Sequence, residues 1–284
     1  MTTVRDKIAN LPPLRQLIDQ TNLEARKSLS QNFIFDLNLT QRIARAAAPM
    51  QGTVFEIGPG PGGLTRALFL EGAEKVIAIE KDCRAIRFLE HLVAATDGQL
   101  ILYEEDAMKL PIWEMSDSPR KVVANLPYNI ATALLLKWLS HANAFVSLTL
   151  MFQKEVAERL VAQPGDKSYG RLSILSQWLC QVELKFDVPP QAFIPPPKII
   201  SSVVHLIPRP QPLYDCRKED LEATTSIAFG QRRKMLRASF KKHGGETLLL
   251  SADIDPTARP QELSIEAFTR LSNKMRQQNL FAHG

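Results

Sequence analysis

From Thr53 onward, short apolar runs alternate with longer amphipathic stretches. Thr53-Val54-Phe55-Glu56-Ile57, Lys75 to Ile79, Gln99 to Tyr103 and Lys121 to Ala124 are apolar, largely β-branched runs of strand length, and Phe145 to Phe152 is a fifth. Between them lie segments with apolar residues at helical spacing: Leu64 to Leu70, one carrying Ile86, Leu89 and Val93, and one carrying Leu134, Leu135 and Leu139. This alternation predicts a parallel, doubly wound sheet whose ligand lies outside the carboxyl ends of its strands. Val182 to Val188 and Ser201 to Ile207 alternate well enough to close the sheet, which brings it to seven strands. Upstream, residues 1–25 are polar and mixed, with Pro12-Pro13 breaking any early helix, and read as an arm free to move. Asn38-Leu39-Thr40 is the expected N-terminal cap of a short helix bearing Ile43, Ala46 and Ala47. Gln153 to Leu160 reads as an amphipathic helix.

At Pro208-Arg209-Pro210-Gln211-Pro212 the composition breaks into a proline-rich linker followed by a helical remainder. The predicted division is therefore an α/β domain over residues 1–207 and a small α-helical domain over 208–284. The clearest helix of the second runs from Ala228 to Lys242. It sets Arg233, Arg237 and Lys241 on one face, with Phe229, Leu236 and Phe240 on an apolar stripe. Together with Arg232 and Lys234, these cations suit phosphate contacts, and a solvated face is the plain alternative.

The polar residues at the predicted strand ends carry the candidate chemistry. Asn125-Leu126-Pro127-Tyr128-Asn129 follows the fourth strand and delivers an amide, backbone carbonyls beside a rigid proline, and a flat ring to one point. That set suits a planar base with an exocyclic amine, although Asn and Pro also favour a simple turn. Gly58-Pro59-Gly60-Pro61-Gly62-Gly63 meets G-x-G-x-x-G between a strand and a helix. Nicotinamide, flavin and methyltransferase sites all use such a loop. Glu56 within the strand end, and two prolines that remove N–H donors a pyrophosphate would want, favour the last. Glu80 ends the next strand, where it can accept from a ribose diol, and Asp106, among three neighbouring acids, could accept from an adenine amine. Gln31 and Asn32 form either a capping loop or a ligand cover. Phe193, between prolines, is either an exposed stacking ring or packing for the sheet edge. The basic, aromatic loop Pro164 to Arg171 is either plain surface or an RNA contact.

Composition narrows the classes without choosing among them. A hydrophobic content of 45% and a charged content of 23% are ordinary for a globular protein. No apolar run reaches bilayer length, and the N-terminus lacks a signal-peptide core. Cys83, Cys180 and Cys216 show neither paired nor zinc-like spacing, which points to a reducing compartment and to no metal. The net charge of +5 is compatible with nucleic acid and weak on its own.

With these residues assembled, the chain resembles the ribosomal RNA adenine N6,N6-dimethyltransferases from about Arg26 to its C-terminus. The carriers are Ser30-Gln31-Asn32-Phe33-Ile34, Glu56-Ile57-Gly58-Pro59-Gly60-Pro61-Gly62, Glu80, Asp106-Ala107, Asn125 to Ile130, Phe193 to Lys198, and Phe229-Gly230-Gln231-Arg232-Arg233-Lys234. The resemblance implies a Rossmann-like methyltransferase fold using S-adenosyl-L-methionine without metal. It implies dimethylation of the N6 of adjacent adenosines in small-subunit rRNA, on a pre-ribosomal particle, by a monomer in the cytoplasm. Carried over by position, Asn32, Ile34, Gly58, Gly60, Glu80, Asp106, Ala107 and Asn125 would hold the cofactor. Asn125, Leu126, Pro127, Tyr128 and Phe193 would hold the target base, with Tyr128 and Phe193 on its two faces. Arg232, Arg233, Lys234, Arg237 and Lys241 would contact RNA. The family's usual glycine is Ser30 here, and Ile200 stands where an acid often precedes the serine. Two other functions compete. One is a large-subunit rRNA adenine methyltransferase. The other is a ribosome-assembly or transcription-associated RNA- or DNA-binding protein in which methylation is dispensable. A nicotinamide enzyme is remote, because no hydride-transfer acid or base accompanies the glycine loop.

Overall fold

The computed structural model describes residues 2–21, 23, 25–26 and 31–281, so the Ser30 departure lies outside the described residues. In chain order the elements are α1 (Val4–Ala9), α2 (Leu14–Thr21), β1 (Phe33–Ile34), α3 (Leu37–Arg45), β2 (Thr53–Ile57), α4 (Gly63–Leu70) and β3 (Lys75–Glu80). There follow α5 (Cys83–Ala95), β4 (Leu100–Glu104), β5 (Arg120–Asn125), α6 (Tyr128–Leu139), β6 (Ser147–Gln153), α7 (Lys154–Val161) and α8 (Arg171–Leu179). The chain ends with β7 (Cys180–Val188), β8 (Phe193–Ile194), β9 (Ser201–Pro208), α9 (Lys218–Gly230), α10 (Leu236–Ser239), α11 (Gly245–Ser251) and α12 (Ile265–Gln277).

Seven strands form one sheet in the order β4-β3-β2-β5-β6-β9-β7. Those from β4 to β6 are parallel, and β9 runs antiparallel to β6. The inner strands read as continuous apolar runs because both faces are covered: every residue of β2 is buried, as are Val122, Val123 and Ala124 of β5. From β2 the chain steps outward through β3 to β4, then returns to the other side of β2 as β5. The strand order therefore reverses between β2 and β5, and their carboxyl ends, Ile57 and Asn125, flank the crevice that such a switch point opens.

The chain divides into two compact units. One comprises Met1–Ala157 with Glu183–Pro208, the other Glu158–Val182 with Arg209–Gly284. Residues 158–182 thus group with the C-terminal segment, although composition places them before the linker. The reason is burial: Tyr169, Ile174 and Trp178 pack in one helical core with Leu221, Phe240 and Phe268. The returning chain is tied to the end of α8, with Arg209 N–H donating to the Leu179 carbonyl and Leu213 N–H to that of Trp178, both at 2.8 Å.

Several expectations are corrected. Where an arm free to move was expected, α1 and α2 lie on the first unit. Ile8 is buried in its core, the Pro12 carbonyl accepts from Arg66 Nη1 at 2.7 Å, and Lys7 pairs with Asp97 at 2.6 Å. The cap of α3 is Asp36, whose carboxylate accepts from the N–H groups of Asn38 and Leu39. The long cationic helix is broken, because α9 ends at Gly230 and α10 begins only at Leu236. The N–H groups of Leu236 and Arg237 bond across to the carbonyls of Ala258 and Pro256 instead of continuing a helical ladder, and Leu236 and Phe240 are buried. Arg233, Arg237 and Lys241 consequently do not share one helix face. Arg237 lies 3.4 Å from Glu246, and Arg232 donates to the Lys167 carbonyl. Tyr169, in the loop read as a surface or RNA contact, is fully buried, with its ring near Phe229.

Candidate active site

A cavity of about 240 Å³ opens at the carboxyl ends of β2, β3 and β5. Its walls include residues 31–34, 56–61, 63–64, 79–81, 105–108 and 125–130. Asn32, Ile34, Gly58, Gly60, Glu80, Asp106, Ala107, Asn125, Leu126, Pro127 and Tyr128 therefore all face one space. Phe193 is not among the lining residues. It is 1% exposed and packs in the core, where β8 pairs with β1 and sets Phe193 opposite Ile34. The expectation of an exposed stacking ring is corrected on that point: a bulky ring beside a strand pair is more stable inside than on a solvated loop.

The glycine loop is shaped by left-handed backbone at Gly58 (φ +68°) and Gly60 (φ +52°). A Cβ on Gly58 would meet only Pro127 Cδ, at 3.8 Å, so this glycine leaves the cavity floor open. A Cβ on Gly60 would come within 2.9 Å of the Phe33 ring. The bare backbone at Gly60 is thus required by β1 passing over the loop.

Glu80 is held by the backbone. Its Oε1 accepts from the N–H groups of Lys81 and Asp82 at 2.8 Å each, and its Oε2 from Gly60 at 3.2 Å. Burial raises its pKa, with those three donors acting the other way. Asp106 is fixed by the ammonium of Lys81 at 2.9 Å and by Met108 N–H at 2.9 Å, and these bonds, Lys81 first, hold its pKa below the ordinary value. Lys81 was not singled out from sequence; a lysine one residue beyond a strand-end glutamate gives no periodic signal. Gln31 donates to Asp82 at 3.0 Å, and Asp82 also accepts from Arg84, so residue 31 is moored to the start of α5.

Asn125 donates from Nδ2 to the Asn32 carbonyl at 3.2 Å. That bond fixes the orientation of the amide and leaves Oδ1 as its acceptor. The Tyr128 hydroxyl lies 2.5 Å from the hydroxyl of Ser201, a fully buried residue at the start of β9. Ser201 belongs to a motif noted for the residue before it, yet it is the serine that reaches the ring.

Glu56 is wholly buried beneath the loop, and its Oε2 accepts from the Thr65 hydroxyl at 2.7 Å. Desolvation raises its pKa from 4.5 to about 8, and the neighbouring charge of Glu80 adds to the rise. The folded state therefore binds this proton more tightly than the unfolded chain, and stability falls as pH rises from 4.5 towards about 8. Glu56→Gln keeps an acceptor for Thr65 and removes the titration. Its urea midpoint is expected to exceed that of the parent at pH 8.5 and to match it at pH 5; equal offsets at both values would rule out a buried proton at Glu56.

Among the described residues no cluster of three His, Cys, Asp or Glu side chains is placed to hold a metal ion, and no helix is long and apolar enough to cross a membrane.

Comparison with known proteins places this geometry in context. Residues 22–277 match the family described as ribosomal RNA adenine dimethylase. The ribosomal RNA small subunit methyltransferase A of Rhodospirillum rubrum is 56% identical over 264 residues, which cover 92% of each chain. That of Paramagnetospirillum magneticum is 54% identical, covering 97% of this chain and 99% of its own. Among solved structures, a dimethyladenosine transferase from Plasmodium falciparum gives a TM-score of 0.75 at 29% identity, over 87% of this chain and 98% of its own. The 23S rRNA methyltransferase ErmE gives 0.67 at 26% identity, over 87% and 100%.

Proposed function

The chain belongs to the ribosomal RNA adenine dimethylase family, and on that premise we propose that its cavity holds S-adenosyl-L-methionine beside an adenine of small-subunit rRNA. The enzyme is an rRNA adenine dimethyltransferase that modifies exocyclic N6. The single observation carrying the assignment of roles is convergence: the Glu80 carboxylate and the Asn125 amide face one cavity across the bare backbone of Gly58.

The residues suit the cofactor. Glu80 keeps one lone pair, on Oε2, beyond the three used by its backbone donors, and it can accept from a ribose hydroxyl. Asp106 and Ala107 form the wall for the adenine ring, with Asn32 and Ile34 near the methionine end. When bound, the cofactor supplies an electrophilic sulfonium methyl.

The chain's own part is positioning. The N6 lone pair of adenine is delocalised into the ring, so the amine is a poor nucleophile. Asn125 Oδ1 and the Leu126 carbonyl accept from its N–H groups, favour a pyramidal nitrogen and stabilise the positive charge that develops there. The product aminium is acidic enough to lose its proton to water. Tyr128 gives the base a stacking face, a contact of about 1–3 kcal/mol. Phe193 contributes a second face only if β8 releases it from the core. Arg232, Arg233, Lys234, Arg237 and Lys241 supply phosphate contacts on the second unit, arranged across a turn instead of along one helix. The protein acts as a monomer on the pre-ribosomal small subunit in the bacterial cytoplasm.

The test is to incubate the protein with labelled cofactor and, side by side, unmethylated small subunits and unmethylated large-subunit RNA, then map the label. N6,N6-dimethyladenosine at adjacent positions of small-subunit rRNA is the expected product. Label confined to large-subunit RNA would transfer the assignment to the chemistry named for ErmE, and binding without transfer would leave an assembly protein.

A further inference from the structure

Lys137 stands in the third turn of α6, within the apolar stretch Leu134-Leu135-Leu136-Lys137-Trp138-Leu139, and nothing assigned so far uses it. Its ammonium donates to three main-chain carbonyls of a single loop: Ala107 at 3.3 Å, Met108 at 2.6 Å and Leu110 at 2.8 Å. An ammonium has three N–H donors, so all are engaged at once. The same loop is folded on its other side by Asp106, whose carboxylate accepts from Met108 N–H and whose carbonyl accepts from Lys109 N–H at 2.8 Å. The Trp113 ring lies 5.4 Å from Nζ and is stacked on His141 at 3.8 Å, which shields the ammonium from water on that side. Carbonyls 107, 108 and 110 thus converge on one cation, and without it they would repel one another.

Asp106, Ala107 and Met108 are cavity wall, whereas Lys137 is not. We propose that Lys137 is a positioning residue for the cofactor, holding the 106–110 loop in the conformation that receives the adenine ring. This rests on the assignment of that wall to the adenine end. The arrangement also makes α6 serve both ends of the site: its first residue, Tyr128, faces the target-base side, and its third turn holds the cofactor side. Loss of Lys137 should therefore weaken cofactor binding without altering the chemistry of a bound complex.

The experiment compares the parent with Lys137→Met, which keeps the apolar stem, and Lys137→Arg, which keeps the charge. Affinities are measured by calorimetry for S-adenosylhomocysteine and for 5′-methylthioadenosine, which carries the adenine and ribose without the amino acid. Lys137→Met is expected to weaken both probes by the same factor, roughly tenfold for loss of charge-assisted bonds to one loop. The KM for the methyl donor should rise equally while kcat at saturating donor is kept, and Lys137→Arg should recover part of the loss. Unchanged affinity for both probes would overturn the proposal. So would a fall in kcat with KM unmoved, or a loss confined to S-adenosylhomocysteine. If Lys137→Met fails to fold, the affinities of Lys137→Gln decide by the same criteria. Failure of the parent itself to bind either probe would instead sink the cofactor assignment.

Discussion

Asn125→Ala is expected to lower methyl transfer by about 10²–10³-fold, the usual cost of deleting one preorganised group at a developing charge. RNA affinity should change little, because the amide would hold one base only, while the proposed phosphate contacts are on other residues. The size of the effect follows from position. Asn125 ends β5 beside β2, where the strand order reverses, and residues 122–124 before it are fully buried. The amide therefore stands on a rigid base and does not have to be ordered when substrate arrives. It is only half-buried, so truncation leaves no large core void and the protein should stay folded. Asn125→Asp separates the two functions of the group, since it keeps an oxygen acceptor and loses the donor to Asn32. Activity well above that of Asn125→Ala would assign the main effect to the acceptor; equal loss would assign it to the tie with Asn32. Near-parental single-turnover rates for Asn125→Ala would remove the amide from the chemistry.

The position of Asn125 is legible in the sequence because strand ends are. A buried parallel strand is a dense apolar run, and a polar residue closing such a run must lie at the sheet edge. Glu80, Asp106 and the glycine loop were found by the same logic. What stayed hidden has different causes. The two-residue strands β1 and β8 are too short for any period to register, yet their pairing buries Phe193 and carries Phe33 over Gly60. The helix α8 is wholly absent from the expectations: its Ser173 and Ser176 are both fully buried, so it lacks a clean polar face. The cationic helix failed for the opposite reason. Arg233, Arg237 and Lys241 do recur at helical spacing, but the backbone from 231 to 236 turns to meet residues 256–258, and tertiary bonding overrode local period. Ser201 and Lys137 act through one hydroxyl and one ammonium on residues distant in sequence, a relation that composition cannot express.

Gly63→Ala is expected to weaken cofactor affinity and to slow methyl transfer by about 10²-fold, the rate cost of a shift near 1 Å in a positioning group. Gly63 opens α4 with ordinary helical backbone, so alanine is not disfavoured there by conformation. The obstacle is steric: a Cβ would stand 2.5 Å from the Ile34 carbonyl oxygen and 3.4 Å from Leu14 Cδ2. A main-chain oxygen cannot rotate aside as a side chain can, so residues 32–34 must move off the glycine loop. Asn32 moves with them, loosening its bond to Asn125, and Ile34 shifts against Phe193. One methyl group thus disturbs two walls of the cavity together. The accompanying loss of stability should be about 1–3 kcal/mol, as for other overpacked sites. Gly72→Ala is the matched control, because its φ of +92° strains alanine while nothing lies within 4 Å of the new Cβ. It should lose comparable stability, on the order of 1–2 kcal/mol, and bind the cofactor as the parent does. If the two variants lost affinity in proportion to their melting temperatures, the passage of β1 over Gly63 would be scaffolding and not part of the binding site.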